Sequence, residues 1–431
     1  MKKSEIEKTI FELIKLYYNG KKSAFVPGKT KIPLICSPYS WEEVNQAMSS
    51  LLRCEITLNQ FQGNKVGQFE DLWSSYLGVN NSIMVNSGSS ANLLALFILA
   101  NPTTKNRIYP GAEIITPAVT WHTTVSPILA INAIPVFVDI TLDDFTIDVE
   151  LIEPYINKNT KAIMPVHLLG NPCDMDKIMK IAKEYDLFVI EDTCEAHGAK
   201  LGNKYCGSMG DIGTFSFFFS HHITTMEGGM IVTNNDDFAE LGRIMRSQGV
   251  IRNTRRKKEL TKFYKNSSKY CDLDPLYLFA NIGFNLRPTE LNGGFGVEQM
   301  KKIESVLEIR RKNGLFWNKE LSDYKKYIIL PEKFKTGSSW FCYPIVIKDD
   351  APFSRTQLMD HLIENNIEVR PIMSGNITRH PALEHFPYNA GELPVADVVH
   401  KNGFFWGNHQ GIGGKMRDYI CDIINDFLSK Y

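Results

Sequence analysis

Short apolar runs alternate with longer amphipathic segments through the middle of the chain, between residues 82 and 235. The apolar runs have strand length, as in PVFVDI at 135–140, LFVIED at 187–192 and MIVTN at 230–234. The segments between them place apolar residues at helical spacing, as at 174–185. This alternation predicts an α/β fold in which helices cover both faces of a mostly parallel sheet.

Helical patterns flank this central part. Residues 1–20 predict an amphipathic helix and residues 41–52 a second one. Residues 298–325 predict one long helix that leads into the C-terminal part of the chain. Residues 339–431 again mix strand and helix patterns, which indicates a smaller second domain.

The segment TFSFFFSHHITTMEGG at 214–229 joins a strand pattern to candidate chemistry. Its apolar residues predict a buried strand through Phe215, Phe217, Phe218 and Phe219. His221 and His222 follow, and an imidazole can move protons near neutral pH. Taken alone, such a pair is better explained as polar residues at a strand end.

Three other patterns place polar or aromatic residues where strands end. The loop SGSSAN at 87–92 opens a helix whose free amides could bind a phosphate, although this pattern alone is better explained as an ordinary capped helix. Asp192 ends a buried strand, where a carboxylate faces the ligand crevice of an open sheet or caps a helix. Trp121 follows another strand and, by itself, would more often be a core aromatic.

Composition excludes several classes of function. Lys and Arg total 48 and Asp and Glu total 48, so no basic excess indicates nucleic-acid binding. No stretch has the length of a membrane span or the apolar core of a signal peptide, so we expect a cytoplasmic protein without a membrane partner. The eight cysteines are scattered without CxxC spacing, and we expect no bound metal.

Together these segments resemble the sugar-nucleotide aminotransferases of the DegT/DnrJ/EryC1/StrS type, a family of pyridoxal-phosphate (PLP) enzymes. The family's cofactor-lysine segment runs Thr-Phe-Ser-Phe, three residues, then Lys-Asn-Ile-Thr, and His221 stands here in place of the lysine. The resemblance spans nearly the whole chain. It implies the PLP-dependent aspartate aminotransferase fold (type I), with a large domain at 1–300, a small α+β domain at 301–431 and a homodimer with shared active sites.

The resemblance also implies roles for individual residues. The implied cofactor-binding positions are Ser89 and Ser90 in a phosphate loop, Trp121 stacked on the pyridine ring, Asp192 at the pyridine nitrogen with His197 in support, Ser216, and Asn285, which would reach the phosphate of the neighbouring subunit. The implied substrate-binding residues are Arg370, Asn376 and Arg379.

Replacement of the lysine changes the expected reaction. Histidine cannot form a Schiff base with PLP, but it can still act as a base. This combination resembles the 3-dehydratases of nucleotide-linked 4-keto-6-deoxysugars, which use pyridoxamine phosphate (PMP) to remove the C3 hydroxyl in 3,6-dideoxysugar biosynthesis. The resemblance implies that His221 and Asp192 are the catalytic residues. An aminotransferase, which would need the missing lysine, and a cofactor-binding protein without activity remain alternatives.

The cysteine pattern bears on the source of electrons. Iron–sulfur dehydrases of this subgroup carry a cysteine cluster in the region that corresponds to residues 250–275, where this chain has only Cys271. We therefore expect no iron–sulfur cluster and no partner reductase. In this respect the chain resembles the dehydratase of the colitose pathway, which implies L-glutamate as amino donor and a nucleotide-sugar substrate, with GDP preferred over CDP.

Overall fold

The structure is a computed structural model that describes residues 2–20, 24–57 and 64–431. Its helices are α1 Lys3–Tyr18, α2 Trp41–Leu52, α3 Lys65–Leu77, α4 Gly88–Leu99, α5 His122–Ala130, α6 Met175–Glu184, α7 Asp236–Arg246, α8 Lys257–Lys265, α9 Glu290–Met300, α10 Ile303–Glu320, α11 Arg355–Glu364, α12 Pro394–Asn402 and α13 Gly414–Leu428. Its strands are β1 Asn81–Val85, β2 Glu113–Pro117, β3 Ile134–Val138, β4 Thr160–Ile163, β5 Phe188–Asp192, β6 Lys200–Leu201, β7 Lys204–Tyr205, β8 Ile212–Ser216, β9 Gly229–Thr233, β10 Ile328–Ile329, β11 Cys342–Ile347, β12 Val369–Pro371, β13 Asn389–Ala390 and β14 Gly403–Gly407.

A large mixed sheet organises the N-terminal two thirds of the chain. Its strand order is β1-β9-β8-β5-β4-β2-β3-β13. Strand β9 runs antiparallel to both of its neighbours, and every other adjacent pair is parallel. The expected mostly parallel sheet is therefore confirmed.

Side chains along these strands alternate between two apolar layers. Ile114 and Ile190 pack with α4, α5 and α7 on one face, whereas their neighbours Ile115 and Val189 pack with α6 on the other. Near the β1 edge, Met84 joins α3 and α10 on that second face. Because successive residues of a strand point to opposite sides, nearly continuous apolar strands bury both faces of the sheet.

The C-terminal part builds a smaller antiparallel sheet in the order β10-β11-β14-β12. Residues of α10, α11 and α13 pack with this sheet in one apolar cluster, which also includes Phe137 and Val166 from the large-sheet region. Strand β13 comes from the C-terminal part but pairs with β3 at the edge of the large sheet. The division at residue 300 remains a prediction.

Two predicted elements are wrong in their extent. The strand predicted through Phe219 ends at Ser216, and the chain then turns. Phe217, the next residue, still donates a backbone hydrogen bond to Gly228 O at 2.8 Å. Phe217 stays buried, but Phe218 is 45% exposed. The single helix predicted at 298–325 is interrupted between α9 and α10, at Lys301 and Lys302.

Lys302 shows why that helix is interrupted. Its ammonium group contacts the buried carboxylate of Glu43 on α2 at 2.6 Å. The interruption lets α9 pack against α2 and α3 while α10 continues into the C-terminal cluster. Among the described residues, no helix is both long and apolar enough to cross a membrane.

Candidate active site

A cavity of about 490 Å³ lies at the carboxyl edge of the large sheet. The ends of β5 and β8 contribute Asp192 and Ser216 to its wall. Parallel strands present their carboxyl ends at one edge, and ligands of open α/β sheets bind there. Five of the residues singled out from the sequence meet in this wall, namely Ser89, Trp121, Asp192, Ser216 and His221.

The first turn of α4 forms one end of the cavity. Ser87 caps the helix, and its hydroxyl accepts a hydrogen bond from Ser90 N at 3.0 Å. Gly88 lies against Ser216 so closely that a Cβ atom at this position would overlap the serine side chain. Free amides at a helix N-terminus and two nearby hydroxyls, those of Ser89 and Ser216, form a donor set suited to an anion such as phosphate.

Asp192 receives three hydrogen bonds in the cavity wall. Asn92 Nδ2 and Thr124 Oγ1 donate to its Oδ2 at 2.9 and 2.8 Å, and the backbone N of Cys194 donates to Oδ1 at 3.1 Å. Asn92 is itself oriented by Thr214 of β8, whose hydroxyl donates to its Oδ1 at 2.6 Å. These donors fix a carboxylate that is able to accept a proton-bearing ring nitrogen.

His221 lies in the turn that follows β8 and is only partly buried. Burial, together with the positive charge of Arg310, lowers its pKa to about 3. Phe341 packs beside its ring, with the ring centroids 5.3 Å apart. The site therefore presents a neutral imidazole, the form that can accept a proton.

Its neighbour His222 is buried and hydrogen-bonded within the protein. His222 is fully buried, and its Nε2 donates to the carbonyl oxygen of Ser339 at 3.0 Å. Burial and nearby positive charge hold its pKa well below the usual range. Of the two histidines, only His221 lines the cavity.

The remaining walls come from several parts of the chain. Trp121 is 58% exposed and stands at the start of α5, next to the cavity. Phe341, Met373 and Phe405 reach the cavity from the C-terminal part. Glu195 also lines it, and burial raises the pKa of this carboxyl to about 8.

His197 does not contact Asp192 in the way predicted. The described hydrogen bonds to the Asp192 carboxylate come from Asn92, Thr124 and the Cys194 amide. His197 is fully buried, and its ring packs 5.7 Å from that of His221 and 5.5 Å from that of Trp73. Burial and the nearby His221 hold its pKa well below the usual range.

Asn285 and the three candidate substrate residues lie outside the residues that line the cavity. Asn285 is exposed, and its side chain accepts a hydrogen bond from Arg287 at 2.9 Å. Arg370 and Arg379 are exposed cations that pair with Glu368 and Asp397, respectively.

Asn376 makes its described hydrogen bonds within the protein, and its predicted substrate contact remains a prediction. Its side chain is buried, and its Nδ2 donates to Asp397 at 2.7 Å. Its Oδ1 accepts hydrogen bonds from the backbone and hydroxyl of Thr378 at 3.0 and 2.7 Å. Both ends of the amide are thus occupied within the protein.

Comparison with known proteins places this geometry in a family. Residues 40–425 match the model of the DegT/DnrJ/EryC1/StrS aminotransferase family. The chain belongs to this family.

Two curated relatives are 3-dehydratases. The chain is 40% identical to GDP-4-keto-6-deoxy-D-mannose 3-dehydratase of Yersinia pseudotuberculosis, over 88% of this chain and 94% of that protein. It is 34% identical to dTDP-4-dehydro-2,6-dideoxy-D-glucose 3-dehydratase of Saccharopolyspora spinosa, over 98% of this chain and 92% of that protein.

A solved structure has the same fold. The crystal structure of GDP-4-keto-6-deoxymannose-3-dehydratase with a trapped PLP-glutamate geminal diamine aligns with a TM-score of 0.82 and 33% identity. The alignment covers 91% of this chain and 99% of that chain. The PLP-dependent aminotransferase fold expected from the sequence is confirmed.

The residues of this DegT-family member fit PLP on structural grounds. The α4 N-terminus and Ser216 suit the phosphate, the hydrogen-bonded Asp192 suits the pyridine nitrogen, and the exposed ring of Trp121 is available for stacking. Among the residues that the structure describes, no group of three or more His, Cys, Asp or Glu side chains could hold a metal ion.

Sequence reasoning missed three polar residues of this family site, Asn92, Thr124 and Glu195. Asn92 carried a usable signal, because it is a polar residue at the start of the otherwise apolar helix segment NLLALFIL. Thr124 and Glu195 carried none, because their importance depends on distances to Asp192 and the cavity that only the fold defines.

Proposed function

We propose that the protein is a PLP/PMP-dependent 3-dehydratase of a nucleotide-diphospho-4-keto-6-deoxysugar. The observation that carries this proposal is that His221 lies in the cavity wall, at the position where the resemblance places the cofactor lysine of the family's aminotransferases. Without that lysine the cofactor is held by noncovalent contacts alone, while a base for proton transfer is retained. The similarity to two relatives that are named 3-dehydratases also supports this proposal.

The first turn of α4, Ser216, Asp192 and His221 each have a part in this proposal. When bound, the PMP form supplies an amine that condenses with the sugar ketone and a ring that accepts electrons. The α4 amides and Ser216 hold the phosphate, and Asp192 keeps the ring nitrogen protonated. With the cofactor bound, His221 would be the base that removes a proton at the C4′ carbon, and the C3 hydroxyl would leave as hydroxide.

The electrons come from L-glutamate in this proposal. Net conversion of a keto-sugar and glutamate into the 3-deoxy sugar, 2-oxoglutarate and ammonia balances in atoms and electrons, because glutamate gives up the two electrons that the sugar gains. A relative with a trapped PLP-glutamate adduct supports this donor. No iron–sulfur cluster is then required.

We further propose GDP as the nucleotide and a homodimer as the working unit. The relative at 40% identity is named for a GDP-sugar, and the one at 34% for a dTDP-sugar. Asn285 is exposed and lies outside the cavity lining of its own chain, which suits contact with the cofactor phosphate of a partner subunit. Arg370 and Arg379 remain proposed substrate contacts at the surface.

A reconstituted assay tests the reaction. Purified protein receives PLP, L-glutamate and GDP-4-keto-6-deoxymannose, with CDP- and dTDP-linked keto-sugars in parallel and no reductase. We expect a 3-deoxy product together with 2-oxoglutarate and ammonia, detected by mass spectrometry. A 4-amino sugar that keeps its C3 hydroxyl would instead identify an aminotransferase, and strict dependence on an added electron donor would overturn the glutamate proposal.

Subunit mixing tests the shared site. An Asn285→Asp variant and a His221→Asn variant, each of low activity, should regain activity when their subunits exchange, because a hybrid dimer contains one intact site. Mass spectrometry first demonstrates that the subunits have exchanged. If no activity is then recovered, the site is built within one chain.

A further inference from the structure

A buried arginine lies close to the histidines of the site. Arg310 on α10 is only 2% exposed, and among the described residues no carboxylate lies within ion-pair distance of it. Its guanidinium Nη1 donates instead to the backbone carbonyl oxygens of Phe341, at 2.7 Å, and of Asn408. A buried cation without a counter-ion is costly, so its position calls for an explanation.

The first consequence of Arg310 is mechanical. Its guanidinium also reaches the carbonyl oxygen of Trp340 at 3.4 Å, and Trp340 has a φ of 52°, an unfavourable conformation for a bulky residue. Asn408 Nδ2 donates to the same carbonyl at 3.3 Å and to Arg310 O at 3.0 Å. The backbone that carries Phe341 is therefore held from α10.

Phe341 transmits this restraint to the site. Its ring lies 5.3 Å from the ring of His221 and 5.9 Å from that of His222, centroid to centroid. Phe341 also lines the cavity, and its backbone N donates to Leu169 O at 2.9 Å. Movement of residues 340–341 would remove one wall of the pocket around the His221 imidazole.

The second consequence is electrostatic. The positive charge of Arg310 lowers the pKa values of His221 and His222, in addition to the effect of burial. It acts in the same direction on His197 and His409. The titratable groups around His221 in the cavity wall and behind it are Asp192, Cys194, Glu195, His197, His222, Glu227 and Arg310.

We propose that Arg310 is a positioning residue for His221: its hydrogen bonds hold the backbone of Phe341, whose ring packs on the imidazole, and its buried guanidinium adds a positive charge beside that contact. The proposal rests on the proposed function, in which His221 accepts a proton.

Histidine titration by NMR tests the charge effect without any need for activity. In cofactor-free protein with labelled histidine, the signal that disappears in His221→Asn identifies His221. Three variants are compared with the wild type, namely Arg310→Gln, Arg310→Lys and Arg311→Gln. Arg311 is the matched control, because it lies next on α10 and also donates to backbone carbonyls, those of Ser338 at 3.0 Å and Gly198 at 3.1 Å.

We expect His221 of the wild type to titrate well below the ordinary value of about 6.5 for histidine. In Arg310→Gln the midpoint should rise by about one pH unit, the size expected for loss of a nearby unit charge. Arg310→Lys and Arg311→Gln should titrate like the wild type. The acidic limb of kcat/KM for dehydration should move with the midpoint in each variant.

Equal midpoints in Arg310→Gln and Arg310→Lys would overturn the proposal. If neither variant folds, the wild-type titration still decides, since a midpoint at or above the ordinary value contradicts it. The result is separable from the proposed function. A low His221 midpoint that depends on Arg310, in a protein that dehydrates no keto-sugar, would refute the reaction but leave the electrostatic role of Arg310 in place.

Discussion

Asp192 and His221 face the same cavity but are held in opposite ways. Asp192 sits among hydrogen-bond donors, from Asn92, Thr124 and the Cys194 amide, which suit an anionic acceptor. His221 sits among aromatic rings and near the positive charge of Arg310, which disfavour a second positive charge. Environment thus separates a carboxyl group surrounded by hydrogen-bond donors from an imidazole whose pKa is lowered, a pattern typical of acid–base sites.

The difference between the two groups is reflected in how their contacts arise. Donors to Asp192 come from α4, α5 and the end of its own strand, all within the large sheet and its helices. The surroundings of His221 depend on Phe341 and Arg310 from the C-terminal third of the chain. The contacts of Asp192 are therefore local to the large sheet and its helices. Those of His221 require the C-terminal third of the chain to pack against the large-sheet region.

Loss of the base should have the largest effect. We expect His221→Asn to lower the dehydration rate by about 10²–10⁴-fold, the usual contribution of a general acid–base group, while PLP binding persists. Rates under saturating substrate and PLP titration by absorbance measure the two properties. His122→Asn is the control, because His122 is exposed and contacts Ser126 on its own helix. A full rate in His221→Asn would assign proton transfer to another group.

How much of this site could be predicted depends on where each residue sits in the fold. Asp192 ends a predicted strand, and Ser89 and Trp121 follow predicted strands, so the tendency of parallel strands to bring their ends together placed these three at one edge. Ser216 is implied only by the resemblance, because the predicted strand runs past it to Phe219. The burial of His221 and the reach of Phe341 could not be predicted, because they depend on contacts between residues more than a hundred positions apart.

Local patterns misled in two places. The run of phenylalanines after Thr214 reads as one strand, but pairing stops at Ser216 and the chain turns to present His221. The helical pattern at 298–325 is continuous, but the contact of Lys302 with Glu43 interrupts it. In the second case a tertiary contact overrides a local periodicity.

Removal of one hydrogen-bond donor to Asp192 should have a smaller effect than loss of the His221 base. Thr124→Val deletes the hydroxyl that donates to Asp192 at 2.8 Å. A hydrogen bond to a charged group contributes about 1.5–3 kcal/mol, so we expect PLP affinity to fall by about tenfold or somewhat more. Titration of the apoprotein with PLP measures this affinity.

Thr116→Val is the matched control for that change. Thr116 is also buried, but its hydroxyl donates to Met164 O at 3.0 Å and not to Asp192. It should alter stability without altering PLP affinity. Equal PLP affinities in the wild type and in Thr124→Val would show that the donor set of Asp192 does not contribute to cofactor binding.

The lowered pKa values of the buried histidines predict that stability depends on pH. Burial lowers the pKa of His221 to about 3 and of His409 to about 4, and it holds those of His197 and His222 well below the usual range. Below about pH 6.5 the unfolded chain therefore binds protons that the folded protein does not. The free energy of unfolding should therefore fall as the pH is lowered from 7.5 to 5. Glu195 opposes this fall in part, because its raised pKa of about 8 lets the folded state bind a proton that the unfolded chain does not yet bind.

Thermal unfolding of the apoprotein across this range measures the effect. Each neutral histidine contributes at most about 1.4 kcal/mol per pH unit, so the decline should be shallower in His221→Asn by up to that amount. A melting temperature that stays constant or rises between pH 7.5 and 5 would contradict the neutral state of these histidines.

The most direct test of the central claim is the His221→Lys variant, followed by absorbance with PLP and by the dehydration assay. A 3-dehydratase that works because it lacks the family's lysine should now bind PLP covalently, with a visible absorbance band that borohydride fixes to the protein, and should lose formation of the 3-deoxy sugar. A variant that retains full dehydration would contradict the account, because proton transfer at this position would then not depend on the histidine.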